Sequence, residues 1–187
     1  MNPFRIIIAF FILNVAAICL VIRLLSPKSY ANFGLQESAI QQVDVRDSEA
    51  VSGRPTHLTI PSVHVDIAVA SGNYNSDTKT WDVSNDKAQF ASITPEANNK
   101  VGSTFIYGLN IDQVFSPLDG LVLGEKALIQ TDSGHLFTYT LSSIENVSPT
   151  DTSAFEYRGP SVLTLQSNSA NWYEERRLFI FNFAEVN

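Results

Sequence analysis

The sequence predicts an all-β fold, a closed or nearly closed β-barrel preceded by one N-terminal transmembrane helix. Three observations carry this. Beyond residue 54 apolar residues alternate with period two, the signature of half-buried strands. The runs are short and end in Gly, Pro, Asn or Asp turns, with no long helical period between them. One long apolar stretch stands at the start of the chain.

That stretch is Ile6–Ile22, 17 residues interrupted only by Asn14 and bounded by Arg5 and Arg23 with Lys28 beyond. At about 1.5 Å per residue it is near the short limit for a hydrocarbon core, and the flanking arginines can snorkel to extend it. It is apolar on all sides, unlike a core helix with one buried face. Residues 1–25 are therefore read as a signal-anchor helix. The competing reading is a cleaved signal peptide and a secreted product, since Ser29-Tyr30-Ala31 offers small residues to a peptidase; the length of the apolar run favours retention. Flanking charge does not fix the orientation. Residues 26–53 are polar and acidic and read as an extracytoplasmic linker, with a short helix around Leu35–Val45. The barrel domain is assigned to 54–187.

Within it, His57–Ile60 ends at Pro61, and Val63, Val65, Ile67 and Val69 alternate with His64, Asp66 and Ala68 up to a turn at Ser71-Gly72-Asn73. Thr104–Tyr107 is a short β-prone run closed by Gly108. Ala127–Gln130 and His135–Leu141 flank Thr131-Asp132-Ser133-Gly134 as a hairpin. Val162–Leu165 and Leu178–Phe183 are the last strands. Phe179, Phe181 and Phe183 fall on one face of the latter, opposite Leu178, Ile180 and Asn182, so it reads as covered on both sides and central.

Composition excludes several functions. With 12 Lys+Arg against 19 Asp+Glu and no basic run, a nucleic-acid partner is not expected. The only cysteine is Cys19, which rules out an intrachain disulfide, and His57, His64 and His135 lack metal-ligand spacing. No metal or cofactor is expected.

Thr164-Leu165-Gln166-Ser167-Asn168, followed nine residues later by Arg177, resembles the catalytic strand and arginine of the sortases, with Asn168 at the cysteine position. Phe105-Ile106-Tyr107-Gly108-Leu109-Asn110 resembles the family's strand ending in Gly-His, with Leu109 at the histidine. Leu58-Thr59-Ile60-Pro61, Trp81-Asp82-Val83, Phe115-Ser116-Pro117-Leu118 with Leu121 and Gly124-Glu125, and Gly134 with Tyr139 are similar to further family segments in the same order. The resemblance covers about residues 54–183. It implies a barrel of about eight strands, facing outward from the membrane, and the ancestry of an extracytoplasmic transpeptidase. In that chemistry a cysteine thiolate attacks the scissile carbonyl, a histidine protonates the leaving amine, and an arginine steadies the oxyanion or positions the substrate.

Two of those three tasks lack their residue. An asparagine amide neither ionises near neutral pH nor attacks carbonyls, and leucine carries no exchangeable proton. Arg177 can still hold a carboxylate or carbonyl oxygen, which is binding rather than turnover. Its alternative is a solvated Glu174-Glu175-Arg176-Arg177 loop; those of Asn168 and Leu109 are a turn residue and a core leucine. Ser167 and Ser169 are the other conceivable nucleophiles, but each neighbours Asn168 and so points to the opposite face of a strand. His135 is read as a packed or solvated strand residue and His64 as solvent-facing. The expected groove residues are Arg177, Trp172, Tyr173, Ser167 and Asn110. The favoured function is a membrane-anchored, inactive sortase-like protein that binds an extended peptide or a surface protein. The alternatives are an active peptidase with a non-cysteine nucleophile and a purely structural surface barrel.

Overall fold

The computed structural model describes residues 49–78, 80–168 and 176–187. The predicted membrane helix, the Leu35–Val45 helix, and Ser169, Trp172 and Tyr173 lie outside the described residues. Among the described residues no helix is long and apolar enough to cross a membrane. The compact unit spans Glu49–Asn187. The last residues assigned by sequence to the linker therefore pack with the domain: β1 (Ser52–Gly53) pairs antiparallel with β7 (Ala97–Asn98), and the Val51 N–H donates to Asn99 Oδ1 at 3.0 Å.

Eight strands close the barrel. They are β2 (Pro55–Ile60), β3 (Val65–Gly72), β6 (Ala88–Ala91), β8 (Ser103–Leu109), β9 (Lys126–Thr131), β10 (Leu136–Val147), β11 (Val162–Asn168) and β12 (Arg176–Val186). Their order around the barrel is β10-β12-β11-β8-β6-β3-β2-β9, closed by β9 against β10. Two short strands, β4 (Tyr74–Asn75) and β5 (Thr80–Trp81), form a separate ribbon. A one-turn helix, α1 (Ser153–Glu156), lies in the β10–β11 connection.

The alternation read from sequence is what drives closure. Val65, Ile67 and Val69 are buried and Asp66 and Ala68 exposed along β3. Phe137, Tyr139 and Leu141 from β10, Leu163 and Leu165 from β11, and Phe179 and Phe181 from β12 join them in the core. Each fully buried side chain of this size contributes about 1.5–3 kcal/mol of transfer free energy. The β9–β10 hairpin turns through Gly134, whose φ of +85° a side chain would resist. β12 lies between β10 and β11 and, as expected, is covered on both faces, by the core at Phe179 and Phe181 and by the outer cluster at Leu178.

One strand begins later than its alternation suggests. Pro61 starts a 3-10 turn, Pro61–Val63, because its fixed φ suits the first helical position and it has no N–H to leave unpaired. His64 then closes the turn in the left-handed region (φ 56°), its N–H donating to the Pro61 carbonyl, and β3 starts only at Val65. His64 is exposed, as expected.

A second, smaller apolar cluster lies outside the barrel wall. Phe105 and Tyr107 from β8, Ala91 from β6 and Leu178 from β12 are covered there by Trp81, Val147, Ala154 and Phe155. The wall formed by β6, β8 and β12 is thus packed on both faces.

Candidate functional site

β8 and β11 run parallel and in register, so that Leu109 stands beside Asn168 and Gly108 beside Ser167. β12 runs antiparallel on the other side of β11, with Arg176 opposite Asn168 and Arg177 opposite Ser167. Registered partners share a face of the sheet. Ile106, Leu165 and Phe179 belong to the barrel core, whereas Phe105, Tyr107 and Leu178 belong to the outer cluster. The strand ends therefore carry two rows. Gly108, Ser167 and Arg177 form the inner row; Leu109, position 168 and Arg176 form the outer one. The sequence groups Arg177 with Leu109 and Asn168, but the register separates it from them by one residue.

What ends β8 also shapes the site. The Leu109 carbonyl accepts the Ile111 N–H at 2.9 Å and the Phe115 N–H at 3.1 Å, folding the chain back across the strand end. Val114 and Phe115 then pack directly against the Gly108 backbone, where a side chain would collide with them. Leu109 is left half-buried at the rim.

The inner row is closed. Arg177 Nη1 donates to Asp119 Oδ1 at 2.7 Å, and its guanidinium lies 5.3 Å from the centre of the Phe179 ring. Ser167 is 2% exposed, and its hydroxyl has no hydrogen-bond partner among the described residues; the same holds for Asn110 Oδ1. Among the described residues no base is placed to accept the Ser167 proton, and burial denies this hydroxyl access to a peptide carbonyl. The histidines are engaged elsewhere: His57 Nε2 is 2.6 Å from Asp66 Oδ1, His64 caps the 3-10 turn, and His135 packs edge-on to Phe137 with ring centres 6.3 Å apart. None lies on β8, β11 or β12.

Because the Arg177–Asp119 pair is half-exposed, solvent screens it and its contribution to stability is about 0.5 kcal/mol. Asp119→Asn should accordingly lower the urea-denaturation free energy by roughly that amount. A loss several times larger would mean that the pair holds the loop after β8 in place.

The outer row borders an aromatic cover. Phe155 from α1 packs on Phe105 with ring centres 4.5 Å apart and lies parallel to Trp81 at 6.2 Å. Trp81 in turn meets Tyr107 edge-on at 5.5 Å and Tyr74 at 5.4 Å. The Tyr107 hydroxyl is buried without a hydrogen-bond partner among the described residues, and burial, followed by the nearby Asp82 charge, pushes its pKa up. Arg176 is half-buried, and burial draws its pKa down. Among the described residues no carboxylate pairs with it.

Sequence reasoning missed Arg176, Asp119, Tyr107 and Phe155 as parts of this region. For Arg176 the signal was present: the odd-numbered phenylalanines of β12 mark the core face, which puts Arg177 with them and Arg176 with Leu178.

Comparison with known proteins agrees with this architecture. By sequence, no curated protein matches. Among solved structures, sortase A of Listeria monocytogenes superposes with a TM-score of 0.57 at 17% identity, covering 73% of this chain and 90% of that one. Sortase E1 from Streptomyces coelicolor, solved with a tripeptide in its active site, gives 0.55 at 19% identity over 73% and 90% of the two chains. The Clostridium perfringens sortase D5 transpeptidase gives 0.56 at 20% identity over 71% and 79%. At these identities the likeness is one of fold. The model of the sortase domain matches residues 58–182, more than half of the sequence and nearly the whole barrel, and the chain therefore belongs to the sortase family.

Proposed function

We propose that this chain is a catalytically inactive sortase-like protein, anchored in the cell membrane by its N-terminal segment. In this reading it binds an extended peptide, or a segment of a surface protein, along the outer face at the ends of β8, β11 and β12. The observation that carries the proposal is the in-register pairing of Leu109 with Asn168. These two positions, which the family resemblance assigns to the acid/base and the nucleophile, are strand neighbours here, yet neither side chain can ionise near neutral pH. The Ile6–Ile22 run supports the anchor, and the sortase E1 structure with a bound tripeptide supports peptide as the ligand class.

The test uses the full chain in detergent micelles and sorting-type peptides carrying a fluorophore and a quencher. Binding without cleavage is expected, seen as a rise in polarisation with no loss of quenching. Cleavage abolished by Ser167→Ala would instead support an active peptidase, against which the burial of Ser167 counts. A specific observation favours the structural-barrel reading: Phe155 and Trp81 already cover Phe105 and Tyr107 on this face. Absence of binding to any peptide would support that reading.

A further inference from the structure

We infer that Arg176, rather than Arg177, is the anion-binding cation of the outer face, and that it takes the terminal carboxylate of a peptide. The inference rests on the outer face being a peptide groove and specifies what that groove selects.

Three observations converge on it. The first is register. Arg176 pairs with Asn168, which pairs with Leu109, so one row crosses three neighbouring strands on the outer face. Arg177 belongs to the next row, with Ser167 and Gly108.

The second is the state of the two charges. Arg177 is answered by Asp119 at 2.7 Å, and its guanidinium lies over Phe179. Arg176 has lost part of its hydration to burial without gaining a carboxylate among the described residues. A partly desolvated cation recovers more from an ionic partner than an exposed one does, because water no longer competes fully for its N–H groups. A guanidinium can meet both oxygens of a carboxylate with two parallel N–H donors, whereas an amide carbonyl offers one oxygen and no charge.

The third is the company Arg176 keeps. Leu109 flanks the row half-buried, and Leu178, the next outer residue of β12, is buried. These aliphatic neighbours lower the local dielectric and suit the last side chain of a peptide better than a second charge. The row is thus built to capture an end rather than to cut a middle. A carboxylate could also come from an internal acidic side chain, and the test separates the two sources.

The probes are N-acetyl-alanyl-alanine, its C-terminal amide, and the amide of N-acetyl-alanyl-glutamate. Each is titrated into the isotope-labelled full chain in detergent micelles. The signals followed are the backbone amides of Leu109, Asn168 and Arg176 and the Arg176 side-chain Nε–H. The free acid should shift these signals and bind about tenfold or more tightly than either amide, as expected for a charge-assisted pair. Arg176→Gln should abolish the difference between acid and amide, Arg176→Lys should retain part of it, and Arg177→Gln should retain all of it. Equal binding of acid and amide would overturn the inference and leave the groove reading standing, as would discrimination lost in Arg177→Gln. Strong binding of the glutamyl amide would overturn the terminal assignment in favour of an acidic side chain. If none of the three probes moves the outer-row signals, this inference and the groove reading fall together.

Discussion

The Leu109→His/Asn168→Cys double variant should form a thioester at position 168 with a sorting-type peptide, where the native asparagine offers no thiol. Position 168 lies beside position 109 on a parallel neighbour and opposite Arg176 on an antiparallel one. Strands in register lie about 4.8 Å apart, so an imidazole at 109 falls within reach of a thiol at 168. The guanidinium across the pair favours the thiolate, as a neighbouring cation does for cysteines generally. Asn168→Cys alone should alkylate with a chloromethyl-ketone peptide, a reaction that needs no proton donor. It should still transfer acyl groups poorly, because nothing protonates the departing amine. Adding the histidine should raise acyl transfer by about 10²–10⁴, the usual worth of a positioned acid/base. Intact-mass spectrometry of the full chain in micelles measures both reactions, with the native chain reporting background at Cys19. If the double variant alkylates but never acylates, the outer face has diverged in its peptide contacts as well as at the two reactive positions.

Gly108→Ala should produce the largest loss of stability of any single methyl added to the site. The new carbon would lie 2.7 Å from Val114 Cγ1 and 2.9 Å from Phe115 Cδ2. Both residues are essentially fully buried, at 1% and 0% exposure, so neither can swing away. Overpacking of this kind costs about 1–3 kcal/mol, and each kcal/mol lowers Tm by about 2–4 °C in a chain of this size. Gly124→Ala is the informative control. Gly124 has a φ of +93° and nothing within 4 Å of an added carbon, so it isolates backbone strain from collision. Thermal denaturation followed by near-UV circular dichroism should show Gly108→Ala as the more damaging of the two. Equal losses would mean that the loop after β8 yields to the added carbon. Because the same loop donates two N–H groups to the Leu109 carbonyl, its displacement should also weaken peptide binding at the outer row.

The strands were legible wherever one face meets the core and the other meets water. β3, the β9–β10 hairpin and the phenylalanine face of β12 all follow from period-two alternation. The 3-10 turn at Pro61–Val63 was not, because Val63 continues the apolar rhythm of β3 while Pro61 sets the backbone. At the site, the pairing of positions 109 and 168 could be anticipated from the family motifs. The spacing of the family motifs does not choose between the two consecutive arginines, whereas the alternation of the β12 phenylalanines does, placing Arg177 on their face and Arg176 with Leu178. A slip of one residue reverses every face, and the pairing of β10 with β12 contains two register shifts. The aromatic cover was hidden for a related reason. Trp81, Tyr107 and Phe155 come from three distant segments, and nothing in the local pattern of any one of them announces the other two.

The parallel pairing of β8 with β11 also bears on how the molecule acquires its shape. Ser103 must find Val162 only after the intervening β9, β10 and α1 have been looped out, so the entropy of closing a long loop is spent before any of these contacts form. Contacts between residues far apart in sequence slow folding, and parallel pairs are among the slowest. The β9–β10 hairpin can form early from local contacts, whereas the rows at the ends of β8, β11 and β12 exist only once the wall is complete. Until then the phenylalanines of β12 and the unpaired edges of β8 and β11 are exposed together, a combination that invites association between chains. The same junction that brings Leu109, Asn168 and Arg176 into one row thus depends on contacts far apart in sequence, and until it closes it leaves strand edges open to association.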